Sequence, residues 1–146
     1  MRADRKAKVV WKGDLMSGSG TIVSSGSGAL SNLDISWASR TESSDGSTSP
    51  EELIAAAHAS CFSMALSHGL AQAGSPAEQL DVSAVVSFEQ AEDGWKITKS
   101  ALDVTGTVPG MDAAAFQEAA EQAKAGCPVS GALSGDIEVT LEARLA

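Results

Sequence analysis

Apolar positions in this chain first alternate and then recur at helical spacing, in an order that predicts a mixed fold. Val9, Val10 and Trp11 precede the small-residue run Ser17-Gly18-Ser19-Gly20, and Thr21-Ile22-Val23 follows it. Apolar stretches on either side of a glycine and serine turn predict two short strands. In Leu33-Asp34-Ile35-Ser36-Trp37 the apolar residues alternate strictly, which predicts a half-buried third strand. Arg40 to Ser49 is polar and rich in serine, and predicts a loop with Arg40 at the strand end.

Ser49-Pro50-Glu51-Glu52 is the clearest local signal. A serine N-cap, proline at the first helical position and glutamate three residues after the cap predict a helix opened by a capping box. The helix runs through Leu53, Ala57, Cys61, Ala65 and Leu70 to Gly74, where glycine and then Pro76 stop it. At ~1.5 Å per residue it is roughly 36 Å long. From Leu53 to Leu66 apolar and small side chains occupy nearly the whole circumference, which predicts burial all round. A chain of 146 residues can hardly surround such a helix alone, so a homodimer is expected to enclose it.

Leu80 to Glu89 and Trp95 to Val108 predict two antiparallel strands joined near Asp93-Gly94. Asp112 caps a second helix, Ala113 to Ala125, with Phe116, Ala119, Ala120 and Ala123 on one face and Gly126 at its end. Asp136 to Leu145 alternates Ile137, Val139, Leu141 and Ala143 as a last strand. The order βββ-α-ββ-α-β contains no βαβαβ run. It predicts an α+β architecture with antiparallel sheets and two principal helices, built as one domain over residues 1–146.

Composition narrows the function classes. With 43% hydrophobic and 20% charged residues the chain is globular, and with three Phe, three Trp and no Tyr its core is built from small side chains. Ten basic against 19 acidic residues give −9, and the basic ones concentrate at Arg2, Arg5, Lys6, Lys8 and Lys12. Nucleic acid is not an expected partner, because phosphate neutralisation needs a basic face that the rest of the chain lacks. No apolar run reaches the ~18 to 20 residues of a membrane span, and the N-terminus lacks the apolar stretch of a secretory signal. A cytoplasmic protein without a membrane partner is expected. Two cysteines kept reduced there disfavour a structural disulfide and leave reactive, metal-binding or inert roles.

Cys61 lies about twelve residues into the first long helix, beyond the reach of the positive end of its dipole. Each unit of pKa depression requires roughly 1.4 kcal/mol of preferential thiolate stabilisation, which one arginine can supply. Arg40 is the only arginine between Arg5 and Arg144; a solvated strand end accounts for it equally. Glu51 precedes Cys61 by ten residues, so on one helix the two cannot touch. It can hold an arginine that reaches the thiol, act across a dimer interface, or simply favour the first turn with its charge. Glu52 serves the capping box. His58, three residues before Cys61, shares its face, and either a Cys-His pair or a packed, hydrogen-bonded histidine fits.

Cys127 follows a helix-ending glycine, where the negative end of the dipole is expected to raise its pKa. It suits a resolving thiol better than an attacking one. The two cysteines, 66 residues apart, form no CxxC motif, so spacing alone does not pair them. Two inert buried thiols, or a metal site from His58, Cys61 and Cys127, remain as other readings.

Ser49-Pro50-Glu51-Glu52-Leu53-Ile54-Ala55-Ala56-Ala57-His58-Ala59-Ser60-Cys61-Phe62-Ser63-Met64-Ala65-Leu66 resembles the central-helix signature of the OsmC/Ohr family of thiol-dependent peroxidases. Cys127-Pro128-Val129-Ser130-Gly131-Ala132-Leu133 resembles the same family, and the Glu-Glu, Ala-His and Cys-Pro-Val-Ser details look more like its OsmC branch. The resemblance implies an OsmC-like fold and an intertwined homodimer, with long central helices at its heart and two active sites at the interface. It implies Cys61 as peroxidatic cysteine, Cys127 as resolving cysteine, Glu51 as the carboxylate at the helix start and Arg40 as the activating arginine. It further implies reduction of organic hydroperoxides, with hydrogen peroxide a poorer substrate, through a Cys61 sulfenic acid and a Cys61–Cys127 disulfide. An external dithiol, for which a lipoyl-bearing protein is a plausible source, recycles that disulfide; no cofactor and no bound metal are expected. Two readings from other classes stand beside it: a non-catalytic stress-induced protein holding a small apolar ligand in the dimer cleft, and the His58/Cys61/Cys127 metal site.

Overall fold

The computed structural model describes residues 1–146, and the chain divides into two compact units, 1–53 and 54–146. The first holds β1 (Ala7–Lys12), β2 (Ser19–Ser25) and β3 (Leu33–Ile35), an antiparallel sheet in the order β1-β2-β3. The turn between β1 and β2 is tied by Asp14, whose carboxylate accepts the Ser17 amide and hydroxyl, both at 2.8 Å. β3 stops at Ile35, two residues short of the expected strand. Ser36 caps a short helix instead, α1 (Trp37–Thr41), so Arg40 stands on a helix and not at a strand end.

α2 (Pro50–Gln72) begins and ends where its punctuation predicts. Ser49 Oγ accepts the Glu52 amide at 3.1 Å, but the reciprocal half of the capping box is absent: the Glu52 carboxylate takes the Thr48 hydroxyl at 2.9 Å. At the other end Gly74 adopts φ +79°, and the Gly74 and Ser75 amides return to the Ala71 and Leu70 carbonyls, each at 3.0 Å. That left-handed closure is why a glycine stands there. By length and composition α2 is apolar enough to cross a membrane, contrary to the reading of its sequence. One face of it belongs to the core: His58, Phe62, Leu66 and Leu70, spaced by four, are fully buried. Burial all round is not reached within the chain, since Met64 on another face is 67% exposed.

The second unit carries β4 (Gln79–Ala91), β5 (Gly94–Thr107) and β6 (Glu138–Leu145), in the order β4-β5-β6, with α3 (Ala113–Gly126) and α4 (Pro128–Leu133) between the last two strands. β4 and β5 form the expected hairpin, with Ala91 facing Gly94 across Glu92 and Asp93. β6, however, pairs with β5 in parallel, so this sheet is mixed and not antiparallel throughout. The crossover through α3 and α4 supplies the length that a parallel connection requires. Asp112 caps α3 by accepting the Ala115 amide at 2.8 Å.

On one face of β5 every second residue turns inward: Ser100 is buried, and Leu102 and Val104 meet Phe62, Leu66 and Leu70 of α2 and Phe116, Ala120 and Ala123 of α3 in a single core. Gly106 continues that face, and a Cβ there would lie 2.5 Å from Phe116 Cζ. Phe116 is wholly buried. Gly106→Ala is therefore expected to destabilise the protein by about 1–3 kcal/mol through overpacking, read as a lower urea midpoint at unchanged slope.

Candidate functional site

Each unit brings together one pair of the residues singled out from the sequence. In the first, α1 is opened by a reciprocal cap: the Ser36 amide donates to Ser39 Oγ and the Ser39 amide to Ser36 Oγ, both at 2.9 Å. Ser39 Oγ also bonds the Thr48 carbonyl at 3.1 Å, which ties α1 to the residues that start α2. Arg40, one residue further on, donates from Nε to both Glu51 carboxylate oxygens at 2.9 and 3.1 Å, and from Nη2 to Oε1 at 2.7 Å. Its guanidinium carbon lies 6.0 Å from the Trp37 ring centroid, within cation–π range. The Glu51 side chain is 9% exposed and that of Arg40 28%, so the pair is partly dry and geometrically constrained.

In the second unit Cys61 and Cys127 are both free thiols, near enough for each to shift the other's titration. Cys61 is half-buried, whereas Cys127 is buried. Burial pushes the Cys61 thiol up; the Cys127 thiol adds to the rise and the Val129 amide opposes it. Burial also raises Cys127, but the Ser130 amide, the Cys61 thiol, the Ser130 hydroxyl and the Val129 amide together outweigh it, and the net direction is down. This overturns the expectation drawn from the dipole of α3. Cys127 is not only the last cap of α3 but also the N-cap of α4, with Pro128 at the first helical position and the Ser130 amide 3.5 Å from its sulfur. Donors aimed at a sulfur favour its anion.

His58 does not pair with a thiol. Its Nδ1 lies 2.6 Å from Ser100 Oγ on β5 and its Nε2 2.8 Å from Ser130 Oγ on α4, so the hydrogen-bonded reading holds. Burial holds the imidazole below its ordinary pKa and therefore neutral. With both nitrogens engaged, and with no three ligating side chains converging anywhere in the structure, the His58/Cys61/Cys127 metal site is not formed. The serines were not legible as site residues, since their partner lies 42 and 72 positions away.

A groove of about 600 Å³ runs between α2 and α3, lined by Cys61, Met64, Ala65, Ala119, Ala123 and Pro128 among others. It is mostly apolar and reaches Cys61, while Cys127 is not among its lining residues.

The family profile described as OsmC-like protein matches residues 43–142, well over half of the chain. The chain belongs to the OsmC family. The Peroxiredoxin OsmC of Escherichia coli (strain K12) is 45% identical over 145 residues, 99% of each chain. The organic hydroperoxide resistance protein OhrA of Bacillus subtilis (strain 168) is 37% identical over 97 residues, covering 65% of this chain and 66% of its own length. Among solved structures, the crystal structure of the organic hydroperoxide resistance protein OhrB of Bacillus subtilis superposes with a TM-score of 0.73 at 31% identity, over 94% of this chain and 97% of that one. The OsmC family match contains Glu51, Cys61 and Cys127, and Arg40 lies just upstream of it.

Two outcomes follow from this site. Arg40→Met leaves the Glu51 carboxylate buried without its fork and is expected to cost about 2–3 kcal/mol, below the range for a fully dry pair because Arg40 is partly solvated. Adding Glu51→Leu should recover most of that loss in urea unfolding at fixed protein concentration. His58 contributes a pH dependence of stability. Its folded pKa lies below the unfolded value, so the unfolded chain binds the extra proton and stability falls as pH drops below about 6.5. Thermal unfolding across that range should show the decline, and His58→Gln should remove its share of the slope.

Proposed function

We propose that this protein is a thiol peroxidase that reduces organic hydroperoxides to alcohols, with hydrogen peroxide a poorer substrate. The observation that carries the reading is a neighbouring pair of free thiols in one core cluster, one lining an apolar groove and the other buried. Access assigns the roles: a peroxide entering the groove meets Cys61, and Cys127 is kept for the second step. The peroxidase-type role is also supported by relatives called peroxiredoxin and organic hydroperoxide resistance protein.

The Cys61 thiolate attacks the distal peroxide oxygen, the O–O bond breaks, and the alkoxide leaves and is protonated to the alcohol while Cys61 becomes a sulfenic acid. Because burial and its neighbour raise the Cys61 thiol, the attacking anion requires a positive charge, and the family resemblance gives that role to Arg40, with Glu51 as the carboxylate that holds its guanidinium. Cys127 then attacks the sulfenic sulfur, forming the disulfide and releasing water. An external dithiol, such as that of a lipoyl-bearing protein, restores both thiols by exchange. The net reaction takes one hydroperoxide and one dithiol to alcohol, water and one disulfide.

The working form in this reading is a homodimer acting as one OsmC-like domain per chain in the cytoplasm. The apolar face of α2 around Met64 supports the dimer, since it is uncovered within the chain, and so does the exposed Val9-Val10-Trp11 of β1. Light scattering is expected to give twice the chain mass.

The test is intact mass and a non-reducing peptide map of the reduced protein before and after one equivalent of cumene hydroperoxide. Loss of two hydrogens and a Cys61 to Cys127 cross-link are expected, faster than with hydrogen peroxide. Cys61→Ser should abolish turnover, and Cys127→Ser should stop after a single oxidation. Full turnover by the Cys61→Ser protein would sink the assignment, and two thiols that stay reduced would turn the groove into a binding site for a small apolar ligand.

A further inference from the structure

His58 has no part in the steps above, yet it is wholly buried and engages hydroxyls on two other elements through both ring nitrogens. Ser100 comes from the inward face of β5, beside Leu102 and Val104. Ser130 comes from the first turn of α4, and its amide donates to the Cys127 sulfur at 3.5 Å. A histidine and two serines in an apolar core are stable only while every polar atom is satisfied, and here the bonds end on a thiol.

We propose that His58 is a positioning residue for disulfide closure: acting through the Ser130 hydroxyl, it holds the first turn of α4, and with it the Ser130 amide, against the Cys127 sulfur and keeps that sulfur poised to attack Cys61. For its chemical step the inference rests on the peroxidase reading above. A neutral imidazole has one ring hydrogen, so His58 donates to one of the two hydroxyls and accepts from the other, and either tautomer fixes Ser130 Oγ. Ser130 held in this way keeps its amide 3.5 Å from the sulfur. The groups facing the sulfur, Cys61 of α2 and Val129 and Ser130 of α4, hold no charged side chain, so the backbone amides of that first turn are what favour the anion. In the step itself the Cys127 thiolate forms the S–S bond as the S–O bond of the Cys61 sulfenic acid breaks. Hydroxide leaves and takes a proton from solvent, the Cys127 sulfur is oxidised, and the sulfenic sulfur is reduced to the same level.

The test uses Ser130→Ala, Ser130→Thr and His58→Gln in two measurements. In a Cys61→Ser background, the pH titration of the Cys127 β-carbon NMR resonance reads the thiol without any peroxide. With both cysteines present, rapid quench after one equivalent of cumene hydroperoxide separates sulfenic acid formation from disulfide closure. Ser130→Ala and His58→Gln are expected to raise the Cys127 midpoint by about one pH unit and to slow closure about tenfold relative to sulfenic acid formation. Ser130→Thr, which keeps the hydroxyl, should stay within about twofold of the unaltered protein. Ser130→Ala removes one oxygen and cuts the tie to His58 while keeping the backbone amide, so it carries the test if His58→Gln does not fold. An unmoved Cys127 midpoint and closure rate in Ser130→Ala overturn the positioning role while leaving the peroxidase reading intact. An unaltered protein that forms a sulfenic acid but no Cys61 to Cys127 disulfide overturns the dithiol mechanism and the closure role with it.

Discussion

The second unit is organised around one stripe of α2, in which His58, Phe62, Leu66 and Leu70 follow each other at four-residue spacing and none has any exposed surface. Packing this stripe against the inward face of β5 fixes the roll of the helix about its own axis. Cys61 precedes Phe62 and so falls at the margin of the stripe, half-buried and facing the groove beside α3. The same logic governs α3. Phe116, Ala120, Ala123 and Cys127 recur at spacings of four, three and four, so the second cysteine is the last member of a buried stripe, carried just past the end of the helix. Two apolar stripes therefore bring two thiols to one core cluster.

Small side chains set how closely these layers approach. Gly106 admits the Phe116 ring, and Ala120 and Ala123 let α3 lie on the sheet. The apolar packing has one polar exception, the imidazole of His58, which is neutral and satisfied at both ends. An unbonded buried ring nitrogen would cost on the order of 1–3 kcal/mol. The stripe thus tolerates histidine only with Ser100 and Ser130 in place, and that requirement couples the sheet, the central helix and the short α4.

The charged pair of the first unit answers to a different balance. Fork geometry, a nearby indole and partial burial make Arg40 and Glu51 orientationally specific, while desolvation offsets most of the attraction. Such a pair contributes position more than stability. It also depends on α1, a helix of five residues whose start is a serine cap answered by a second serine, Ser36-Trp37-Ala38-Ser39. That signature lies in the sequence, but the apolar alternation of Leu33, Ile35 and Trp37 hides it, because a strand pattern and a cap overlap on the same residues.

The sequence by itself determined whatever local chemistry encodes. The start of α2 at Ser49-Pro50, its stop at Gly74, the Asp112 cap, the β4–β5 hairpin and the alternating faces are all decided by groups within a few residues of one another. The two cysteines, the arginine and the glutamate were legible as candidates for the same reason, from residue type and helical placement. Tertiary structure decided the rest. β6 runs parallel to β5 because α3 and α4 carry the chain back across the sheet, which no alternation of Ile137, Val139 and Leu141 can specify. The direction of the Cys127 shift reverses because the sulfur caps a second helix and meets Cys61 across 66 positions, where reading along the chain sees only the end of α3. His58 finds its two serines 42 and 72 positions away. Local hydrogen bonds and periodicity are written residue by residue, whereas the field at a buried sulfur is a sum over groups that only packing brings near.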